Sequence, residues 1–437
     1  MKKLIVITLL IATLGTSCQQ NYNMPADRQE NSSVQSTVAE QGVQTALSDH
    51  LNPITADVIN DIAWYLDSSY LDYAIVQKNA ATDLRFANIA TQIDSMSLGE
   101  QYIMLYRAFN QFNDAHTYFS MRTLNDSNLP IIFERFDQSF IVINATAAHR
   151  DLIGQTISKI DGQPIDVWYQ RAYDMVAADN DFGRSRSAVD VLHRPLLYAL
   201  YDDVVKTSLL IETKDFQSVL NFAANLRPND FLENKSDDLR LGSNTLQLFK
   251  LADTDPFGYR IDETHKIITI YFNTLSAAGD RLAQFGATLR KAIDDRPTYS
   301  IVFDFRTCLG GNTAALSTIF EPDFLSSIGA RSFSYVSRNS MSVGTLAPSR
   351  LRQAFGIKII GEPTPYSEET SFVSASADRY GITALNATIC SSFSNGGYQK
   401  RLAQPALTPD YLIEVKFDDY VGQRDIWQES LIEILEQ

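Results

Sequence analysis

The chain has few of the residues from which metal centres and disulfide frameworks are built. Among its 437 residues there are 3 cysteines and 5 histidines. The histidines are widely scattered, and no Cys/His spacing typical of a metal site occurs. We therefore expect no metal ion. The function considered below needs no other cofactor, and we expect none.

A dense cluster of positive charge is also absent. The 37 Lys and Arg residues stand against 52 Asp and Glu residues, which gives a formal net charge of −15. Contacts from Lys and Arg to phosphates dominate binding to nucleic acids, so an acidic chain of this kind is a poor partner for them. We expect no nucleic-acid partner.

Long apolar runs are missing except at residues 4–14. That run follows Lys2 and Lys3, and it is too short and too close to the N-terminus to be a mature membrane span. It ends in Leu-Gly-Thr-Ser before Cys18, which resembles the processing site of bacterial lipoproteins. We expect residues 1–17 to be a signal peptide and Cys18 to carry lipid. The alternative is an ordinary secretory signal with a chance cysteine.

Residues 18–50 are rich in Gln, Asn, Ser and Ala and show little periodicity. This composition predicts a flexible tether. Anchor and tether together predict a place in the cell envelope, on the periplasmic or surface face of a bacterial membrane, with the outer membrane as the expected one. Cys308 and Cys390 then remain; they could pair, but two separate buried thiols is the simpler interpretation.

The rest of the chain is too long for a single hydrophobic core, and its pattern of apolar residues changes twice. Residues 51–125 show apolar side chains at helical spacing and predict a helical domain. Residues 126–205 read as a small module of strands, with a tight turn at Asp161-Gly162 and a helix near 167–177. Residues 206–437 alternate strands and helices from 267 onward, which is typical of a parallel or mixed sheet. The predicted class is multidomain α/β.

A glycine pair follows the most apolar strand of this last segment. The sequence Ile301-Val-Phe-Asp-Phe-Arg-Thr-Cys-Leu-Gly-Gly-Asn312 is a buried strand that breaks at Gly310 and Gly311. Bare backbone N–H groups at such a pair can donate to a developing oxyanion, although a simple loop is the common alternative. Asp304 and Arg306 lie on one face of the strand and are expected to brace the loop.

A hydroxyl stands at the next strand-to-helix corner. Ser342 lies between a strand at 332–337 and a helix that begins near Val343, whose N–H is available as a second oxyanion donor. Serine before a helix is usually a cap, and Ser340 is a rival nucleophile. Both corners are expected at the carboxyl ends of parallel strands, where ligands bind in such sheets.

A serine hydroxyl needs a base that removes its proton. His116, in Asp114-Ala-His-Thr117 at the end of the helical segment, is the candidate, and Asp114 and Thr117 could orient it. A lone histidine at a helix end is more often a cap or a packing residue.

Five motifs in order resemble the tricorn-like branch of the carboxyl-terminal processing serine peptidases. They are Asp114-Ala-His-Thr117, Asp304-Phe-Arg-Thr-Cys-Leu-Gly-Gly311, Ser340-Met-Ser-Val-Gly344, Ile359-Ile-Gly-Glu-Pro-Thr364, and Leu407-Thr-Pro-Asp410 with Gly422-Gln-Arg-Asp425. The resemblance covers residues 100–437. It implies a PDZ-like module within residues 126–205, which would bind peptide by strand addition, and a crotonase-like protease core.

The resemblance also implies roles for single residues. The nucleophile falls on Ser342, the histidine on His116, and the oxyanion donors on the backbone of Val343 and of Gly310 or Gly311. A lysine base, used by the processing branch, is missing at residues 365–369, so histidine is the expected base. Glu368 or Glu369 is the expected orienting acid.

Three departures from the family pattern concern the cleft. The Gly-Gly pair that follows the threonine in the family is missing after Thr364, and the loop is expected to be shorter. Cys308 replaces the asparagine of the glycine loop, and Ala115 replaces the glycine before the histidine. The expected function is a serine-type peptidase that acts on peptides or unfolded proteins outside the cytoplasm and reaches the membrane through its lipid anchor. A catalytically inactive peptide-binding lipoprotein on the same fold is the alternative. Glycan binding, suggested by the anchor and the aromatic content, is weaker because nothing arranges the aromatic residues as a sugar platform.

Overall fold

A computed structural model describes most of the chain from residue 43 to the C-terminus. The described residues are 43–226, 230–231, 256–276, 280–312, 314–368, 385, 387–391, 397–421 and 424–437. The expected signal peptide, Cys18, most of the tether, Glu369 and part of the Gly422–Asp425 motif lie outside them. In the described part of the chain, no helix is both long and apolar enough to cross a membrane.

The helices and strands are numbered in chain order. The helices are α1 (Ala56–Ser69), α2 (Tyr73–Asn79), α3 (Phe86–Gln92), α4 (Leu98–Asn110), α5 (Ile165–Met175), α6 (Asp181–Leu192), α7 (Pro195–Asp202), α8 (Asp280–Asp294), α9 (Ala314–Ile319), α10 (Pro322–Ile328), α11 (Val343–Phe355), α12 (Gly397–Ala403), α13 (Phe417–Val421) and α14 (Ile426–Glu436). The strands are β1 (Gln44–Ala46), β2 (Tyr118–Met121), β3 (Ser127–Asn128), β4 (Ile131–Phe136), β5 (Ser139–Ala145), β6 (Thr156–Ile160), β7 (Gln163–Pro164), β8 (Val204–Lys206), β9 (Ser208–Thr213), β10 (Gln217–Asn221), β11 (Ala223–Ala224), β12 (Phe257–Asp262), β13 (Ile267–Phe272), β14 (Ser300–Asp304), β15 (Ser332–Val336), β16 (Lys358–Gly361), β17 (Ala387–Cys390) and β18 (Tyr411–Leu412).

The N-terminal helices form because apolar residues recur at helical spacing and because polar residues cap them. Ile59, Ile62 and Leu66 lie on the buried face of α1. Ser97 and Glu100 form a reciprocal capping box at the start of α4, which satisfies N–H groups that the helix leaves open. Helix α4 leads directly into the turn that carries His116.

The folded part begins earlier than the predicted tether end at residue 50. Strand β1 pairs with β8, and Leu47 is buried in the helical core. This apolar side chain and the added strand pairing hold a segment whose polar composition had predicted flexibility.

The middle segment is an antiparallel sheet with strand order β10-β9-β6-β5-β4. Strand β9 pairs with β6, so this sheet continues to residue 221, beyond the segment 126–205 that the sequence grouped as a module. The pairing joins segments that are distant in the chain. Helices α6 and α7, which the sequence did not predict, follow α5, and α7 lies against α4.

The C-terminal sheet has strand order β12-β13-β14-β15-β16-β18, parallel from β13 onward with β12 antiparallel at the edge. All residues of β14 are buried. One face packs against α8 and α11, and the other against α14 and against apolar side chains of β4 and β5. Because both faces of the sheet are covered, every residue of β14 is buried, which explains its continuous apolar sequence. The predicted multidomain α/β class with mixed sheets is confirmed.

Candidate active site

The glycine pair lies in the loop after β14, between the ends of β13 and β15. Gly310 and Gly311 have φ angles of 118° and 133°, which L side chains rarely adopt. The carbonyl of Gly310 accepts from the Leu275 N–H at 2.8 Å, and the carbonyl of Leu275 accepts from the Asn312 N–H at 3.1 Å. Leu275 follows β13, so these bonds fix the loop to that side of the sheet.

This pairing decides where the N–H of Gly311 points. The C=O of Gly310 and the N–H of Gly311 belong to one peptide unit and point in opposite directions. Since the C=O points toward the β13 side, the N–H points toward β15, which lies on the other side of β14 in the sheet order. The chain after β15 carries Ser342.

Ser342 sits on a strained corner beside the glycine loop. Its φ and ψ angles are 53° and −113°, a backbone conformation that is normally adopted only by glycine. Its side chain makes no cap hydrogen bond to the helix. A Cβ placed on Gly310 would lie 3.2 Å from the Ser342 Cβ and 3.5 Å from its Oγ. The half-buried hydroxyl therefore lies directly against the bare backbone of the loop.

Helix α11 begins at the residue after this corner. Val343 is the first helical residue, so the helix has no internal acceptor for its N–H. The N–H of Met341 donates to the Cys308 carbonyl at 2.9 Å, which ties the corner to the glycine loop. The structure thus brings Ser342, Val343, Gly310 and Gly311 together.

The rival hydroxyl of Ser340 has a structural role. Ser340 is fully buried; its Oγ accepts from the Ser337 N–H at 2.9 Å and donates to the Phe305 carbonyl at 2.9 Å. These two bonds shape the turn before Ser342. Because Ser340 is fully buried, its hydroxyl is not exposed to a substrate.

Asp304 and Arg306 brace the base of the glycine loop, as predicted. The Arg306 Nη2 lies 2.7 Å from an oxygen of Asp304, and its Nη1 lies 2.9 Å from Asp425 at the start of α14. Cys308 and Cys390 are separate buried thiols, which confirms that interpretation.

His116 is held on a turn built around the carboxylate of Asp114. One carboxylate oxygen accepts from the His116 N–H at 2.9 Å, and the other accepts from the Thr117 hydroxyl at 2.7 Å. The imidazole Nδ1 lies 4.0 Å from Asp114 Oδ1, and the ring lies 5.0 Å from the ring of Tyr366. Burial lowers the pKa of His116 to about 4, with Asp114 acting upward and Arg401 downward.

The turn is clamped from two further segments. A buried carboxylate, Asp179, accepts from the Ala115 N–H and from the Ser367 N–H, each at 2.7 Å. Burial raises the pKa of Asp179 to about 7. Asp179, Tyr366 and Arg401 carry no motif in the sequence, and nothing local could have identified them.

The predicted acid Glu368 faces another group. Its carboxylate accepts from the Ser349 hydroxyl at 2.6 Å and pairs with Arg352 at 2.9 Å, both on α11. The carboxylate identified beside the His116 ring is Asp114. Within the described residues, no group of three or more His, Cys, Asp or Glu side chains could hold a metal ion.

Comparison with known proteins places the fold. No family model matches the sequence, and no curated protein matches it. Two structures of mature CPAF, one complexed with lactacystin, have TM-scores of 0.62 and 0.59 at 10% and 11% identity, and each match covers 87% of this chain and 98% or 95% of the other. The photosystem II D1 C-terminal processing protease and the tricorn protease also match, with TM-scores of 0.39 and 0.36.

These neighbours are serine peptidases of the carboxyl-terminal processing and tricorn-like kind. The fold shared with CPAF agrees with the resemblance predicted from the five motifs. At 10% and 11% sequence identity, the similarity to CPAF establishes the fold. The roles of individual residues must be argued from the geometry of the site.

Proposed function

We propose that this protein is a serine-type peptidase with Ser342 as nucleophile and His116 as general base. The observation that carries the proposal is the strained corner of Ser342 against Gly310. A serine forced into a glycine-like conformation between a strand and a helix is the geometry of a nucleophile elbow. The corner lies at the carboxyl end of a parallel strand in a CPAF-like fold.

The proposed reaction is ordinary acyl transfer. His116 takes the proton of the Ser342 hydroxyl while Oγ attacks the peptide carbonyl, and the carbonyl oxygen becomes an oxyanion. The N–H groups of Val343 and Gly311 are the proposed donors to it. His116 then gives its proton to the departing amine, and a water molecule, activated by the same histidine, hydrolyses the acyl-enzyme.

Labelling with a fluorophosphonate probe tests this assignment. We expect the purified wild-type protein to be labelled once, at Ser342, and both Ser342→Ala and His116→Ala to lose the label. Ser340→Ala would be a poor control because Ser340 shapes the turn; Ser327→Ala, in α10, is the matched control and should label normally. A folded wild-type protein that takes no label would overturn the proposal and leave an inactive peptide-binding protein.

The substrates and the place of action are part of the same proposal. The antiparallel sheet has edge strands at β4 and β10, and we assign to it the PDZ-like role of adding a strand of a peptide or unfolded protein. The lipoprotein-like sequence before Cys18 supports a lipid anchor in the bacterial envelope. Cys18→Ser should move the protein from the membrane fraction to the soluble fraction; a variant that remains membrane-bound would contradict the anchor.

A further inference from the structure

A fully buried arginine lies behind the turn that carries His116. Arg401, on α12, has no exposed side-chain surface. Its Nη2 lies 3.3 Å from Asp114 Oδ2, and its Nε donates to the carbonyl of Asn113 at 3.1 Å. The same guanidinium donates to the Tyr70 hydroxyl. Two of these contacts fall on the residues just before the Ala115-His116 pair.

The position of this charge matters because the carboxylate of Asp114 lies beside the imidazole. A carboxylate 4.0 Å from Nδ1 would favour the charged form of a buried histidine. Arg401 pairs with the other oxygen of the same carboxylate, and its positive charge opposes the effect of Asp114 on the imidazole. Among the described residues, other groups that face the turn are Asp179, through the Ala115 N–H, Arg184, through the Asn113 side chain, and the ring of Tyr366.

We propose that Arg401 is a positioning residue of the hydrolytic site: through its buried ion pair with Asp114 it fixes the turn of His116 and keeps the imidazole in the neutral form that can accept a proton. This inference rests on the proposed role of His116 as base. It differs from the usual arrangement, in which a carboxylate beside the histidine stabilises the imidazolium, because here the carboxylate is shared with a guanidinium.

The proposal makes a statement about acidity that does not depend on turnover. The lowered pKa of His116, about 4, agrees with the geometry, since burial is the largest influence and outweighs Asp114, and Arg401 lowers the pKa further. The histidine should therefore stay neutral in mildly acidic solution, where a solvent-exposed histidine with a pKa of about 6.5 is charged.

Histidine NMR titration of the protein, with His116→Gln to assign the resonance, is the decisive measurement. In the wild type we expect the His116 signal to titrate near pH 4. Arg401→Gln should move the midpoint upward from the wild-type value toward 6.5, whereas Arg401→Lys, which keeps the charge, should stay closer to the wild type. Lys400→Gln, an exposed neighbour on α12, is the matched control and should leave the midpoint in place.

The outcomes separate this inference from the proposed function. A wild-type midpoint at 6.5 or above, or a folded Arg401→Gln variant with an unchanged midpoint, would overturn the role of Arg401 whether or not the serine takes a probe.

If Arg401→Gln does not fold, the wild-type titration and the titration of Asp114→Asn decide. Asp114→Asn removes the carboxylate and keeps the guanidinium, so its midpoint should lie at or below that of the wild type; a rise would refute the proposal. In each active variant, the rate of fluorophosphonate labelling should fall on the acid side at the same pH as the NMR titration midpoint of His116.

Discussion

At the scale of single residues, the corner at Ser342 combines reactivity with strain. Its φ of 53° and ψ of −113° place an L-residue where glycine is usually found, at a cost on the order of 1–3 kcal/mol. The surrounding hydrogen bonds, such as that from the Met341 N–H to the Cys308 carbonyl, hold the corner in place. The protein therefore stores strain at the position where the hydroxyl must project.

We expect Ser342→Gly to be more stable than Ser342→Ala by about 1 kcal/mol, because glycine relieves the strain and pays only part of that gain back in backbone entropy. Urea unfolding of both variants measures the difference. Both should be inactive toward the fluorophosphonate probe. Equal stability of the two variants would mean that the corner is unstrained.

At the scale of elements, the start of helix α11 is docked tightly on the glycine loop. A Cβ on Gly344 would lie 2.5 Å from the carbonyl oxygen of Cys308. This close approach fixes the first turn of the helix, and with it the N–H of Val343, relative to Gly310 and Gly311.

Gly344→Ala should therefore cost about 2 kcal/mol of stability, the usual range for overpacking, and slow labelling of Ser342 by on the order of tenfold or more through misplacement of the oxyanion donors. Gly356→Ala is the matched control at the other end of α11. Its φ of 70° is strained, but no atom lies within 4 Å of the added Cβ, so labelling should persist. If both variants label equally well, the docking of α11 does not position the site.

His193 joins two other elements, the end of α6 and strand β4. Its Nε2 accepts from the Phe133 N–H at 3.2 Å, so its Nδ1–H donates to the Val189 carbonyl at 2.9 Å, and the ring stacks on Phe133. Both ring nitrogens are used by the neutral form. Burial lowers the pKa of His193 to about 4.

The sign of the pH effect follows from this lowered pKa. Between about pH 6.5 and 4 the unfolded chain binds a proton at this residue and the folded chain does not, so stability falls as pH falls. From pH 7 to pH 5 the loss from His193 is about 2 kcal/mol. His193→Gln should flatten the pH dependence of urea unfolding by that amount; an unchanged slope would contradict a neutral His193.

Local patterns in the sequence predicted the elements around the serine well. The strand and helix that flank Ser342 and the strand before Gly310 were recovered because their signals, continuous apolar runs and a helix stop at Gly356, lie within each segment. Helices α6 and α7, the pairing of β9 with β6 and the contacts of Asp179 and Arg401 were missed. Each depends on a partner distant in the chain, which no spacing rule encodes.

At the scale of the whole molecule, the antiparallel sheet is joined to the peptidase core by apolar and by charged contacts. Phe136, Ile141 and Ile143 lie in one cluster with core strands. Beside them, Arg338 pairs with Glu362, whose side chain is 3% exposed, through Nη2 at 2.6 Å. Arg338 also donates to the carbonyl of Arg135 at the end of β4.

Removal of this guanidinium should destabilise the protein strongly. Arg338→Met leaves the buried carboxylate of Glu362 without its charged partner, although the backbone N–H of residue 338 still donates to it, and the loss should cost about 3–5 kcal/mol. The double variant Arg338→Met/Glu362→Gln removes both charges and should recover part of that loss in urea unfolding. A double variant less stable than the single one would show that the ion pair is not the source of the effect.

The residues that surround the His116 turn, namely Tyr70, Asp179, Tyr366 and Arg401, form a clamp whose origin in the chain has a consequence for folding. Its members come from the first helices, from the α5–α6 connection, from the chain after β16 and from α12. A nascent chain has the histidine long before it has the arginine. The clamp can therefore be assembled only once the chain has been made as far as α12 and has folded. On the proposed function, the hydrolytic site stays incomplete until that point of synthesis.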